Sequence, residues 1–218
     1  MLGLFDSGRG GLNTVWLLKE TDDDSDLVYL IDGNNAPYGT RTEEEIIEIT
    51  ARNIRLLTKM GAERVLIACC TASTVHPLLP EEYRSVSIPI IDAVADEARR
   101  TTRSGTVGVI ATQHTVRSGA FERALPELSV KQMALSELVP LIDSGLSDET
   151  ATDKYIRMLD SMLKPILKEA PDTLILGCTH VPALAGTIGK IAEKYGNIRL
   201  VDSARVGADV IRKYRHRK

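Results

Sequence analysis

Short, almost wholly apolar runs alternate along this chain with longer stretches in which apolar residues recur every three or four positions. Leu2–Phe5, Leu27–Ile31, Val65–Ala68, Ile88–Ile91, Thr106–Ile110, Leu174–Leu176 and Ile198–Val201 have the length and continuity of strands buried on both faces. The clearest helix is expected from Thr42 to Met60. Thr42 can cap it, Glu45 three residues on completes a capping box, and Gly61 ends it. Ile46, Ile49, Leu56, Leu57 and Met60 are expected mainly on its inner side. A second long helical region is expected from Asp148 to Ala170, bent at Pro165. Strands that alternate with helices predict an α/β fold, its sheet mostly parallel and covered on both faces.

The pattern also repeats. Leu2–Ser7 parallels Val107–Thr112, and Leu66–Thr71 parallels Ile175–Thr179. Two halves of similar plan are expected, each carrying a cysteine near its close, with a boundary near Asp92–Ala93. Composition narrows the class further. With 43% apolar residues among 218, the chain can bury a proper core. Its 27 basic and 30 acidic residues leave a net charge of −3, which argues against a general nucleic-acid binder or a membrane-surface protein. No apolar run approaches the ~20 residues that cross a bilayer. Met1–Asp6 also lacks the charged head and long apolar region of a signal peptide, so a cytoplasmic protein is expected. The acidic run Asp22–Asp24 reads as a solvated loop and the basic end Arg212–Lys218 as a solvated helix terminus.

Cys69, Cys70 and Cys178 are odd in number and lack metal-ligand spacing, so neither a disulfide framework nor a zinc site is expected. In a reducing compartment such thiols are candidates for chemistry. Ligands of open α/β sheets sit beyond the carboxyl ends of strands, and four loops fall there. The first, Asp6-Ser7-Gly8-Arg9-Gly10-Gly11, has glycines that leave backbone N–H groups free for an anion, a carboxylate as readily as a phosphate. The second and fourth, Cys69–Ser73 and Gly177–Pro182, place a cysteine between a strand and a helix start, with Thr71 or Ser73 as cap. A helix N-terminus favours thiolate, so these thiols are expected to be activated relative to a free thiol near ~8.5. A single buried cysteine is ordinarily a small hydrophobe, but two at equivalent points of two halves point to function. Cys69 and Cys70 are expected to face opposite ways in an extended chain, so one should stand in the site and the other pack behind it or line its edge, and position alone does not choose between them. The third loop, Asn34–Gly39, offers a hydroxyl from Tyr38 and an N–H from Gly39. Among the histidines His180 stands closest to a candidate base, whereas His76 and His114 read as helix-start or packing residues and His216 as solvated.

Together, Phe5-Asp6-Ser7-Gly8 with Gly10-Gly11, Pro37-Tyr38-Gly39, Cys69 with Thr71-Ala72-Ser73, Val107–Ser118 and Leu176-Gly177-Cys178-Thr179-His180 resemble the glutamate racemases. The similarity runs in one order from about residue 2 to 210, and His180 looks like the glutamate branch of the aspartate/glutamate superfamily. The resemblance implies two pseudo-symmetric doubly wound α/β domains, residues 1–92 plus 205–218 and residues 93–204, with the active site in the cleft between them. It implies racemisation by two thiols, one on each face of the stereocentre, without pyridoxal phosphate or metal. Cys69 would take the proton from D-glutamate and Cys178 from L-glutamate, assisted by Asp6 and His180. Ser7, Tyr38, Gly39, Thr71 and Thr179 would bind the substrate. The resemblance chooses Cys69 over Cys70 as the base, and it implies a homodimer that supplies D-glutamate for peptidoglycan. Three residues depart from the family pattern. Cys70 stands where Asn is usual on the substrate-binding strand end, Asp143 where Glu is usual in Val139-Pro140-Leu141-Ile142-Asp143, and Arg9 where an apolar residue is common. Cys70 motivates an alternative, a two-cysteine racemase or isomerase of another small acid. A binding or regulatory homologue with weak turnover is the further alternative.

Overall fold

The computed structural model describes residues 1–20 and 26–215. The expectations for Asp22–Asp24 and His216 lie outside the described residues. The first half contributes β1 (Leu2–Asp6), α1 (Leu12–Lys19), β2 (Leu27–Ile31), α2 (Glu43–Lys59), β3 (Arg64–Ile67), α3 (Cys70–Ser73), α4 (Glu81–Arg84) and β4 (Ser87–Pro89). Then come α5 (Ile90–Thr101), β5 (Thr106–Ala111), α6 (Gln113–Arg117), α7 (Ala120–Ala124), β6 (Ser129–Ala134) and α8 (Leu138–Asp143). The chain closes with α9 (Asp153–Leu167), β7 (Thr173–Gly177), α10 (Ala185–Ala192), β8 (Arg199–Asp202) and α11 (Ser203–Arg215).

The strands form two four-stranded sheets of identical plan, β2-β1-β3-β4 and β6-β5-β7-β8, parallel at every pairing. The repeat read in the sequence is this plan: β1 corresponds to β5, and β3 to β7. β7 is buried along its whole length and β5 at all but its first residue, as strands covered on both faces require.

Three apolar clusters hold the halves. One lies between the sheets and joins Leu4 and Leu66 to Val109 and Ile175 through Val94 and Ala98 of α5 and Ala208 and Ile211 of α11. The second packs α9 and α10 on the far side of the second sheet, and the third packs α2 on the far side of the first. α11 returns to lie against α1 and α5, and Arg212 donates to the Leu17 carbonyl at 2.8 Å. Residues 92 and 93, expected at a boundary, stand inside α5. The two halves share that helix because Ile90, Ile91, Val94, Ala95 and Ala98 give it a buried face.

Several local expectations shift. The capping box forms: Glu45 N donates to Thr42 Oγ1 at 3.3 Å, and Thr42 N donates to Glu45 Oε2 at 2.9 Å. The buried stripe of α2 runs through Ile46, Ile49, Thr50, Asn53, Ile54 and Leu57, which leaves Leu56 and Met60 exposed. β4 stops at Pro89 because the next residues already wind into α5. The second long helix begins at Asp153, not Asp148. Asp148 instead accepts from Gly186 N and Thr187 N, both at 2.7 Å, at the start of α10. β6 had no counterpart among the expected strands: it pairs only with β5, and its Ser-Val-Lys-Gln-Met-Ala sequence is half-buried instead of continuously apolar.

Candidate active site

β1 lies beside β3 and β5 beside β7, and the residues that follow these four strands meet at one cavity of about 460 Å³. Ser7, Cys69, Thr112 and Cys178 arrive there from β1, β3, β5 and β7 respectively. Tyr38, Gly39, Cys70, Thr71, Asp143, Thr179 and His180 also line it. Of the candidate residues only Asp6 is absent from the wall, being fully buried. Each of the three apolar clusters presents one cysteine to this space: Cys70 from between the sheets, Cys178 from the second sheet's outer core and Cys69 from the first's.

Cys69 and Cys70 therefore both reach the cavity, contrary to the alternation expected of an extended chain. Cys69 has extended backbone (φ −65°, ψ 114°), but Cys70 is already the first residue of α3, so period-two alternation ends between them. Neither Thr71 nor Ser73 caps this helix; Cys69 holds the N-cap position. Ser73 Oγ instead donates to the Ile67 carbonyl and accepts from Ile90 N.

The glycine-rich loop also differs from its reading as an open anion seat. Asp6 Oδ2 accepts from Gly8 N at 3.2 Å and Gly11 N at 3.1 Å, so the carboxylate in that nest is the chain's own. Both Asp6 oxygens lie 3.2 Å from Thr179 Oγ1, which donates across from the second half. Asn13 Nδ2 donates to the Thr179 carbonyl at 2.8 Å. A Cβ on Gly10 would stand 2.8 Å from the Thr179 carbonyl carbon, so only glycine permits the loop to close on that residue. On the other flank Thr71 Oγ1 lies 3.0 Å from Thr112 Oγ1 and 3.4 Å from Thr115 Oγ1, a second polar tie between halves.

The two sulfurs have unlike companions. Cys69 Sγ has Ser7 Oγ at 3.4 Å. Burial, followed by the negative charge of Asp6, pushes its thiol up to about 12, against the pull of Ser7 and the Ala72 amide. The helix-start activation expected for this thiol is present but outweighed. Burial likewise drives Cys70 well up and lifts Asp6 above the ordinary carboxylate range. Cys178 Sγ has His180 Nδ1 at 3.8 Å, and His180 Nε2 lies 3.2 Å from Asp143 Oδ1. Burial works against the imidazolium, but Cys178, Asp6 and Asp143 together hold His180 at about 9.

Sequence reasoning missed Asp32. This nearly buried carboxylate accepts from Tyr38 Oη at 2.6 Å, Asn35 Nδ2 at 2.6 Å and Asn53 Nδ2 at 2.9 Å, with Arg52 at 3.5 Å. Burial alone would lift it, yet those donors hold it below the usual carboxylate range. The only sequence signal was its position one residue past a strand. The Tyr38 hydroxyl, expected to face substrate, donates its hydrogen bond to Asp32. His76 opens a 3-10 turn, and His114 Nε2 lies 3.3 Å from Thr74 Oγ1. Among the described residues no three His, Cys, Asp or Glu group to hold a metal ion, and no helix is long and apolar enough to cross a membrane.

Both the sequence and the duplicated α/β fold have known relatives. The sequence profile described as Asp/Glu/Hydantoin racemase matches residues 15–211. The chain belongs to the Asp/Glu/hydantoin racemase family. A glutamate racemase of Exiguobacterium sibiricum is 36% identical over 209 residues, covering 93% of this chain and 74% of that protein. One from Deinococcus radiodurans is 36% identical over 222 residues, covering 99% and 73%. Among solved structures, glutamate racemase isoform RacE1 of Bacillus anthracis superposes with a TM-score of 0.88 at 29% identity, covering 100% of this chain and 82% of its own. Glutamate racemase of Francisella tularensis in complex with D-glutamate gives 0.85 at 26% identity, covering 99% and 81%. Membership of this racemase family makes the chain an amino-acid racemase, an isomerase, with the α/β fold of those structures.

Proposed function

We propose that this racemase interconverts L- and D-glutamate with Cys69 and Cys178 as its two acid–base groups. The observation that carries the proposal is their joint presence on one cavity wall, each from the equivalent strand end of its own sheet. Inverting the stereocentre means taking a proton from one face of Cα and returning one to the other, which a single fixed base does poorly. At neutral pH Cys69 is a thiol and His180 an imidazolium beside the Cys178 sulfur. That is the form suited to L-glutamate. Cys178 thiolate takes the Cα proton with charge support from His180, and the Cys69 thiol gives its proton to the opposite face. The product state, Cys178 thiol and Cys69 thiolate, is the one that receives D-glutamate. Ser7, Gly39 and the cavity ends of Thr71 and Thr179 bind the substrate. On the family resemblance the enzyme is a cytoplasmic homodimer that supplies D-glutamate for peptidoglycan.

A second reading, racemisation of a different small acid, is favoured by Cys70, whose thiol is a weaker hydrogen-bonding group than an amide on that wall. Proton NMR in D₂O separates the two. Loss of the Cα signal from both glutamate enantiomers, with conversion between them, is expected. Exchange into another acidic amino acid but not glutamate would favour the second reading, and no exchange into any would overturn both.

A further inference from the structure

We propose that Asp32 is the positioning residue of the substrate-binding wall formed by Ala36–Thr40, and so controls how tightly this racemase holds its acidic substrate. The proposal rests on the glutamate reading above and deepens it. Ala36, Pro37, Tyr38, Gly39 and Thr40 make one continuous side of the catalytic cavity. A loop wall of this kind needs something to fix it, because short turns carry few bonds of their own. Asp32 supplies it: one carboxylate gathers Asn35 at the start of the loop, Tyr38 at its middle and Asn53 from α2 behind it. Asn53 Nδ2 closes the set by donating to Tyr38 Oη at 3.0 Å. Arg41, just past the wall, donates to the Asn35 carbonyl, and so ties its far end to the same anchor.

Asp32 is not on the cavity wall and touches neither sulfur, so it acts through the loop. The wall it fixes is formed by a loop of the first half that contains neither cysteine. Loosening it is expected to weaken binding of ground state and transition state alike, a change in KM more than in kcat. The carboxylate accepts all its bonds, and an amide in its place would turn one NH₂ toward donors. Asp32→Asn should therefore raise the glutamate KM by about tenfold or more, the effect of losing a charge-assisted hydrogen bond, with kcat changed less than about threefold. Tyr38→Phe keeps the ring and removes one donor, and should raise KM a few-fold, about threefold, in the same sense. Because the two side chains share the bond between them, the two effects should fall short of multiplying in the double variant.

The test measures kcat and KM for both enantiomers, active-site concentration by thiol titration, and glutamate affinity by calorimetry. A merely structural role would lower the active fraction and melting temperature with KM unmoved, and that result overturns the proposal. Unchanged KM in Tyr38→Phe, which is conservative enough to fold, overturns it equally, as do fully multiplicative effects in the double variant. If the wild-type protein neither racemises nor binds glutamate, the functional reading fails and this proposal falls with it.

Discussion

Cys69 and Cys178 occupy matching places in matching sheets, yet their surroundings oppose each other. The Cys69 side holds a neutral thiol, with a serine hydroxyl at 3.4 Å and a buried aspartate whose charge resists a second anion. The Cys178 side has a histidine at 3.8 Å that an adjoining aspartate helps to keep cationic. Duplication thus supplies matching positions for the two sulfurs, and divergence of the neighbours supplies the difference: a raised thiol at Cys69, a cationic His180 beside Cys178. A symmetric pair would start with both sulfurs in the same state. In the two-base reaction proposed above, the unlike pair would use the Cys69 thiol as the acid and Cys178, supported by His180, as the base.

The heaviest test removes either arm. Cys69→Ser and Cys178→Ser are each expected to lower racemisation by about 10³-fold or more, since serine is a far weaker base and acid partner at neutral pH. Racemisation that survives in either variant breaks the two-base comparison at its root.

Next in size is His180→Asn, which strips the charged companion from one arm only. The equilibrium constant between enantiomers is unity, so kcat/KM must fall equally in both directions, by about 10²-fold. The asymmetry shows in isotope effects. With Cα-deuterated L-glutamate the effect on kcat/KM should rise, because proton removal by Cys178 becomes limiting. With deuterated D-glutamate it should fall, because removal by Cys69 no longer limits. Equal changes from both sides would mean that His180 serves the site as a whole and not one sulfur.

The two arms should also separate in the dependence of stability on pH. His180 is held at about 9 in the fold, above the ~6.5 of an unfolded histidine. Its contribution is therefore complete below about pH 6.5 and lost as pH climbs through 9, at most about 3 kcal/mol. Cys69, pushed up to about 12, has the same sign but a higher window: stability falls from about pH 8.5, where an unfolded thiol begins to ionise. Denaturant titrations across this range should show the lower-pH loss vanish in His180→Asn and the upper one shrink in Cys69→Ser. A single window insensitive to both variants would remove the electrostatic basis of the comparison.

What the sequence made legible follows from physical locality. Continuous apolar strands, the capping box at Thr42 and the duplicated Cys-bearing strand ends are local patterns and reappear, although Ile90 and Ile91 join α5 and the edge strand Leu27–Ile31 is only half-buried. The clustering of Cys69, Cys178, Thr179 and His180 was readable because a parallel sheet sends the residues after its strands to one edge. Partnership was not readable. Glycine N–H groups in the first loop looked free because nothing in the sequence says that Asp6 folds back to take them, and the Tyr38 hydroxyl looked free because Asp32 and Asn53 reach it only in three dimensions. Burial was equally hidden: a helix start predicts an activated Cys69, and only the packed structure shows desolvation outweighing it.

The smallest expected effect concerns Cys70, the thiol that belongs to neither arm. It is buried among the apolar residues shared by both sheets, yet also lines the cavity. Cys70→Asn places an amide where one side faces hydrocarbon and the other faces substrate. In the empty protein the unpaired amide should cost about 1 kcal/mol of stability, seen as a melting temperature a few degrees lower. With glutamate bound the amide can reach a charged group, so ligand should raise the melting temperature of the variant more than that of the wild type, and KM should drop about threefold. Racemisation should persist, because both acid–base sulfurs remain. A variant whose KM is unchanged, and whose melting temperature glutamate raises no further than it does the wild type's, would assign Cys70 to packing alone. Collapse of turnover with folding intact would make it a third participant in proton transfer, and the division of this site into two unlike arms would have to be redrawn.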